Sequence, residues 1–275
     1  MIIANPIYDV TFKRLLENDR TAKFLIGTIL DCKVLTLEPA YVEKTKWNEN
    51  KDRLTLFRKD FSATIKTNEG EKRVIIEMQK AQRLGDIARF REYLGSEYTN
   101  SRLPIIAIYI LGFNLSINSP AFMARPDCWD LLTKQKIEGK DRFVEHLTHN
   151  AYFIQTLQLK PSFNTQLETL LAIFEQDKFI GNTTTTKMFP FEIKDKEIKE
   201  VLDVLQYAAA DAKTREELDL ENAYLKTMEE MFGEKDALIA QKDALIAQKD
   251  EIITQKDEII TQKDAEIEAL KKQLS

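Results

Sequence analysis

Asp60 and Glu77 are acids placed where a strand favours β-branched and aromatic side chains. Asp60 opens the period-two run Asp60–Thr67, and Glu77 follows Val74-Ile75-Ile76 near the end of the run Lys72–Gln79. Between the two runs, Asn68-Glu69-Gly70-Glu71 has hairpin-turn chemistry, so the arms should lie antiparallel with both carboxylates at the end away from the turn. Like charges so placed repel unless a cation joins them. A divalent metal with oxygen ligands does this, and Mg²⁺ suits one or two carboxylates plus a substrate phosphate. Gln79, two residues after Glu77, shares its face because side chains alternate along a strand. The alternative for the same residues is a pair of solvated acids at strand ends.

The elements that must position these residues read as α, β, β, β, α, β. Asp9–Leu30 carries Phe12, Leu15, Leu16, Phe24, Leu25 and Ile29 on a helical period, with a break expected at Asp19-Arg20. Leu35–Val42, Asp60–Thr67 and Lys72–Gln79 read as strands, Ile87–Tyr98 as a helix and Ile105–Leu111 as a buried strand. Further on, Phe163–Phe179 and Lys194–Asp211 read as helices packed on the N-terminal domain, joined by a loop at Gly181–Thr186. The pattern predicts an α/β core over residues 1–160, a helical extension over 161–213 and a heptad-repeat helix over 214–275.

Asp60, the hairpin and then Glu77-Met78-Gln79-Lys80 resemble the signature of the PD-(D/E)XK nuclease superfamily. The closest branch is that of the Rpn-type recombination-promoting nucleases, or transposase-like proteins, where Glu-x-Lys is commonly Glu-x-Gln. Asp9-Val10-Thr11-Phe12-Lys13 is similar to that branch's N-terminal Asp-x-x-Phe-Lys, and Arg89–Tyr98 followed by Ile105–Ile110 resembles its helix and next strand. The match covers residues 5–160. It implies a restriction-endonuclease-like αβββαβ core with a mixed sheet and Mg²⁺-dependent, or Mn²⁺-dependent, hydrolysis of DNA phosphodiesters.

On that resemblance Asp60 and Glu77 hold the metal, with the Met78 backbone carbonyl as a further ligand. Asp9 joins them from the first helix or else caps that helix. The superfamily's third position, a lysine that orients the attacking water, is Gln79 here; its amide hydrogen-bonds but carries no charge. Lys80 is the catalytic substitute if a bulge or strand end turns it to the same face. Lys13, Gln82, Arg89 and Arg91 are the expected contacts to DNA phosphates.

Composition narrows the remaining choices. Eight glycines in 275 residues leave no Walker A or GxGxxG string. Cys32 and Cys128 are too few for a zinc cluster or a secreted disulfide scaffold, so the reducing cytoplasm is the expected compartment. The N-terminus lacks a basic stretch ahead of an apolar one, which argues against a secretory signal, and Leu103–Ala124 is too interrupted for a membrane span. Residues 214–275 carry 16 acidic and 9 basic residues, net −7, leaving residues 1–213 at net +2 with a basic excess in Lys44–Arg91. That excess suits phosphate, or is a solvated face. His146 and His149, at i and i+3, could share a helix face but lack acidic or cysteine partners for zinc. Tyr93 and Tyr98 read as core packing, and Trp129 as a loop anchor.

The tail repeats KDALIAQ, KDALIAQ, KDEIITQ, KDEIITQ, KDAEIEA from Lys235. One apolar column runs through Ile239, Ile246, Ile253, Ile260, Ile267 and Leu274, while Lys242, Lys249, Lys256 and Lys263 stand where a tight dimer would place leucine. A weakly associating coiled coil through residues 235–275 is expected, with Gly233 as a weak joint; a spacer helix is the alternative. Two functions compete: a DNA endonuclease tied to recombination, mobile elements or defence, and a catalytically weak nuclease-fold DNA-binding protein that oligomerises through its tail. A third makes the tail the working part and the body its cargo.

Overall fold

The computed structural model describes residues 1–39, 44–48, 53–57, 61–80, 86–137, 139 and 141–273. In chain order the elements are β1 (Ile2–Ala4), α1 (Asp9–Glu17), α2 (Asp19–Leu30), β2 (Thr36–Pro39), β3 (Lys44–Asn48), β4 (Arg53–Phe57), β5 (Phe61–Thr67), β6 (Gly70–Gln79), α3 (Asp86–Asn100) and β7 (Ile105–Leu111). There follow β8 (Ala121–Ala124), β9 (Cys128–Trp129), β10 (Lys136–Ile137), α4 (Arg142–Leu147), β11 (His149–Gln155), α5 (Gln166–Ile173), β12 (Thr186–Met188), α6 (Lys196–Ala210) and α7 (Ala212–Gln273). The chain divides into two units, Met1–Ala223 and Tyr224–Ser275.

The first unit is a mixed α/β structure around a six-stranded sheet of order β2-β5-β6-β7-β11-β8. Strands β6, β7 and β11 run parallel, flanked by antiparallel β5, β2 and β8. Every residue of Ile105–Leu111 is buried, as a parallel strand covered on both faces requires. The β5–β6 hairpin closes on the pair Thr67↔Gly70, and Gly70 takes φ +122° there, a conformation that favours glycine. The ladder fixes two faces. Thr64, Ser62, Arg73, Ile75, Glu77 and Gln79 line one with Ala107, Tyr109 and Leu111, and α3 covers it. Val74, Ile76 and Met78 line the other, where Lys80 meets Tyr8 ahead of α1. A side chain at Gly112 would run into Ile7 and the Lys80 carbonyl, so this strand end admits only glycine.

Several boundaries and placements differ from the sequence reading. The first helix breaks at Asn18, one residue earlier than expected, because its side chain accepts from the Arg20 and Thr21 N–H groups and starts α2. Helix α5 ends at Ile173, well short of Phe179, where buried Lys187 donates to the Ile173 (3.1 Å) and Glu175 carbonyls. His146 lies in the last turn of α4 and His149 begins β11, so the two histidines share no helix. Trp129 does not anchor a loop: it is exposed on the β9–β10 hairpin, whose connection carries exposed Leu131 and Leu132. Strands β1 and β12 pair antiparallel, which joins residues 2–4 to residues 186–188 within the first unit.

The second unit is the distal part of α7. The helix runs unbroken through Gly233. Leu238, Ile239, Leu245, Ile246, Ile252, Ile253, Ile259 and Ile260 are each about half exposed along it. Among the described residues no helix is long and apolar enough to cross a membrane.

Candidate active site

Glu77 and Gln79 lie at the C-terminal end of β6, 3% and 5% exposed, pairing with Tyr109 and Leu111 of the parallel neighbour. They share a face because they are two apart in a regular strand. The C-terminal ends of parallel strands are the usual place for ligands in open α/β sheets. Ladder pairing carries the arm as far as Phe61↔Ile76; Asp60 precedes Phe61 and Glu77 follows Ile76 in the chain. Asp60 itself lies outside the described residues, as does Gln82.

Helix α3 runs back across this face and supplies the rest of the surroundings. In its first turns Arg89 donates from Nη2 to Gln79 Oε1, and its guanidinium carbon lies 5.2 Å from the Phe90 ring centre. Phe90 packs at 5.3 Å on Tyr109, which stacks at 5.0 Å on Phe153. Burial, and secondly the Glu77 charge, push the Tyr109 phenol up to about 12, so it stands as a neutral hydroxyl beside the carboxylate. At the far end of the helix Glu97 accepts from Arg73 Nε at 2.7 Å and from Ser62 Oγ at 3.3 Å. Tyr93 is buried between these ends, and Tyr98 Oη bonds His149 Nδ1 at 2.8 Å, which makes both structural.

Other expected site residues go elsewhere. Lys80 leaves on the opposite face, as alternation requires: its Nζ donates to Tyr8 Oη (2.5 Å) and Thr184 Oγ1 (3.1 Å) and sits 4.0 Å over the Tyr8 ring. The expected substitution of Lys80 for the third-position lysine is thereby corrected. Asp9 is the first residue of α1, not its cap. The cap is Tyr8, and the Asp9 and Val10 N–H groups are accepted by Glu221 Oε1 (2.8 Å) and Oε2 (3.1 Å). The Asp9 carboxylate pairs instead with Lys13 at 2.6 Å, on the Tyr8 side of the sheet, so no described contact brings Asp9 or Lys13 to Glu77. Met78 is buried with its side chain on the opposite face, and Arg91 is exposed on α3.

Sequence reasoning missed Tyr109 as a neighbour of Glu77 and Glu221 as the acceptor of the first N–H groups of α1. Only for Tyr109 was there a signal, a polar aromatic amid the aliphatic run Ile105–Leu111. Burial raises the Glu221 carboxyl, and the two N–H groups that it accepts oppose that rise. A cleft of about 610 Å³ lined by Phe24, Gly27, Cys32, Val34, Thr165 and Leu167 lies by α2 and α5 and shares no residue with the Glu77 face. No family model matches the chain, and no curated protein or solved structure does.

The Glu77 carboxylate is a hard oxygen donor, the kind that Mg²⁺ or Mn²⁺ takes, while the Gln79 amide oxygen is engaged by Arg89. Among the described residues, no three of His, Cys, Asp and Glu form a metal-holding group.

Proposed function

We propose that this chain is a metal-dependent DNA endonuclease of PD-(D/E)XK type, in the Rpn-type branch. The observation that carries the reading is a buried carboxylate, Glu77, and a buried amide, Gln79, side by side on the hairpin arm opposite the one that follows Asp60. In this reading α2, β2, β5, β6, α3 and β7 are the αβββαβ core, and β11 and β8 extend its sheet.

An ionised carboxylate as buried as Glu77 is costly beside apolar rings, and a cation offsets that cost. Asp60, Glu77 and the Met78 carbonyl would hold the ion, whose chemistry when bound is to polarise the scissile phosphate and acidify a water. Glu77 fixes the charge of the site, and Tyr109 keeps its proton at neutral pH and adds no second negative charge. Gln79 orients an oxygen of the reacting group by hydrogen bonding. Arg91, exposed on α3, receives the DNA backbone.

The test is cleavage of supercoiled and linear DNA in Mg²⁺, Mn²⁺ or EDTA by the wild type, Asp60→Ala and Glu77→Gln. Metal-dependent nicking should fall about a hundredfold or more in both variants with the thermal transition retained. Undiminished cleavage in either variant places the chemistry elsewhere.

A second reading, a nuclease-fold assembly protein of little activity, is favoured by the half-exposed Ile and Leu columns of the second unit. A wild type that binds DNA and self-associates but cleaves in no metal would establish it in place of the first.

A further inference from the structure

Glu77, Tyr109, Phe153 and Phe122 stand opposite one another on four neighbouring strands, β6, β7, β11 and β8, and so form one cross-strand row on the face of the candidate site. Tyr109 stacks on Phe153 at 5.0 Å with 19° between the planes, and Phe153 stacks on Phe122 at 5.0 Å with 15°. At the inner end Phe90 of α3 packs on Tyr109. At the outer end β8 is the edge strand of the sheet, and among the described residues no ring continues the row past Phe122. We infer that the outer face of Phe122 is a stacking site for one unpaired base of the DNA substrate. The choice of DNA rests on the proposed nuclease activity, and the inference names the form of DNA that this activity takes, one with an unpaired strand.

The stack leaves a single face to use. Rings this close to parallel cover one another's faces, and the strand spacing of about 4.8 Å sets their interval. A flat aromatic group laid on Phe122 continues the row at the same interval. Every nucleobase has a π-face, so such a site tolerates any sequence. Inside a duplex both faces of a base are covered by its neighbours in the strand, so only a base outside the duplex has a face to offer.

Placement supports the role. Three strand spacings, about 14 Å, separate Glu77 from Phe122. A strand that rises about 3.4 Å per nucleotide when stacked, and more when extended, spans this in about two to four nucleotides. Phe122 is part-exposed, and the inner rings hold it in place before a base arrives, so little ordering is lost on binding. Charge agrees. Strand β8 has no charged residue and runs directly into Arg125. Arg125 and Lys136 share Asp127, at 3.8 and 3.0 Å, so two cations meet one anion and the cluster keeps an excess of one positive charge. That sign suits the phosphates that flank a stacked base.

The experiment uses a single-stranded oligonucleotide with 2-aminopurine at one position at a time, and the same sequence as a blunt duplex, with the full chain in EDTA. The wild type should bind the single strand at least about tenfold tighter than the duplex and quench the 2-aminopurine. Phe122→Ala should weaken single-strand binding about tenfold, remove the quench, and change duplex binding by less than about threefold. Phe122→Leu, which keeps an apolar contact to Phe153 but has no π-face, should behave as Phe122→Ala does. Phe122→Tyr should bind as the wild type does. In Mg²⁺, Phe122→Ala should raise KM for a flapped substrate about tenfold and leave kcat within about threefold.

Quenching that survives in Phe122→Ala and Phe122→Leu, equal losses on single strand and duplex, or a wild type that prefers the duplex would each overturn the inference while the nuclease reading stands. Loss of self-association in Phe122→Ala with DNA binding unchanged would also overturn it, and would assign the β8 edge to a second copy of this chain. Quenching that depends on Phe122 in a protein that cleaves in no metal would keep the stacking site and overturn the nuclease reading. Should Phe122→Ala fail to fold, Phe122→Leu decides on the same criteria.

Discussion

Arg73 on β6 and Glu97 on α3 form a buried ion pair, Nε to Oε2 2.7 Å, on the same sheet face as Glu77. Ser62 Oγ donates to Glu97 at 3.3 Å and Arg73 Nη1 donates to Thr64 Oγ1 at 3.3 Å, so the pair also joins β5 to the helix. It clamps α3 at one end as Phe90 on Tyr109 does at the other, and thereby holds Arg89 over Gln79.

Removing one partner of this pair strands a buried charge. Glu97→Gln or Arg73→Met should each destabilise the first unit by about 3–5 kcal/mol, read from urea unfolding. The double variant should lose less than the sum of the two. Additive losses would mean that the two groups do not act as a pair.

Lys187 gives a pH dependence of definite sign. It is 1% exposed, and burial, opposed by the Glu175 charge, holds its ammonium down to about 8 from the ordinary 10.5. Between those values the unfolded chain binds more protons than the folded one, so the Lys187 contribution to stability rises from about pH 8 to about pH 10.5. Lys187→Met should flatten that rise relative to wild type. It should also cost about 1–3 kcal/mol at neutral pH by leaving the Ile173 and Glu175 carbonyls unpaired. The comparison is one of unfolding curves of both proteins at pH 7, 9 and 10.5.

The tail prediction follows from the lysine column that accompanies the exposed Ile and Leu residues. Full-length protein should associate weakly, with a sedimentation coefficient that rises over the micromolar range, and deletion of residues 235–275 should abolish the rise. The deletion should keep the thermal transition of the first unit. Concentration-independent sedimentation of the full chain would make the helix a spacer or a docking element for another protein.

The site was legible where the pattern is local. Alternation along Lys72–Gln79 is enough to put Glu77 and Gln79 together and Lys80 on the other face, and the unbroken hydrophobic run Ile105–Leu111, with no charged residue, marks its burial. What sequence periodicity omits is long-range. The three-residue strands Ile2–Ala4 and Thr186–Met188 have no pattern of their own and exist only as partners. The acid that accepts from Asp9 and Val10 comes from Glu221, 212 positions away, so the sequence leaves Asp9 open as either metal ligand or cap. The helical pattern Phe163–Phe179 overruns α5 because nothing near Phe174 announces that Lys187 bonds the Ile173 carbonyl itself. The Arg89–Gln79 contact depends on how α3 crosses the sheet, which spacing along the chain does not encode.

The pairing of β1 with β12 and the bond from Tyr8 Oη to Asn222 Oδ1, 2.7 Å, bear on how the chain is made. Synthesis proceeds from the N-terminus, so residues 2–8 leave the ribosome first and wait for partners at 186–188 and 222. The β5–β6 hairpin, closed by the Thr67↔Gly70 pair, can assemble early, while Lys80, which bonds Tyr8 and Thr184, reaches its final environment only late. The body around Glu77 is therefore completed from its middle outward, and nascent chains that stop short of Asn222 carry an unfinished one.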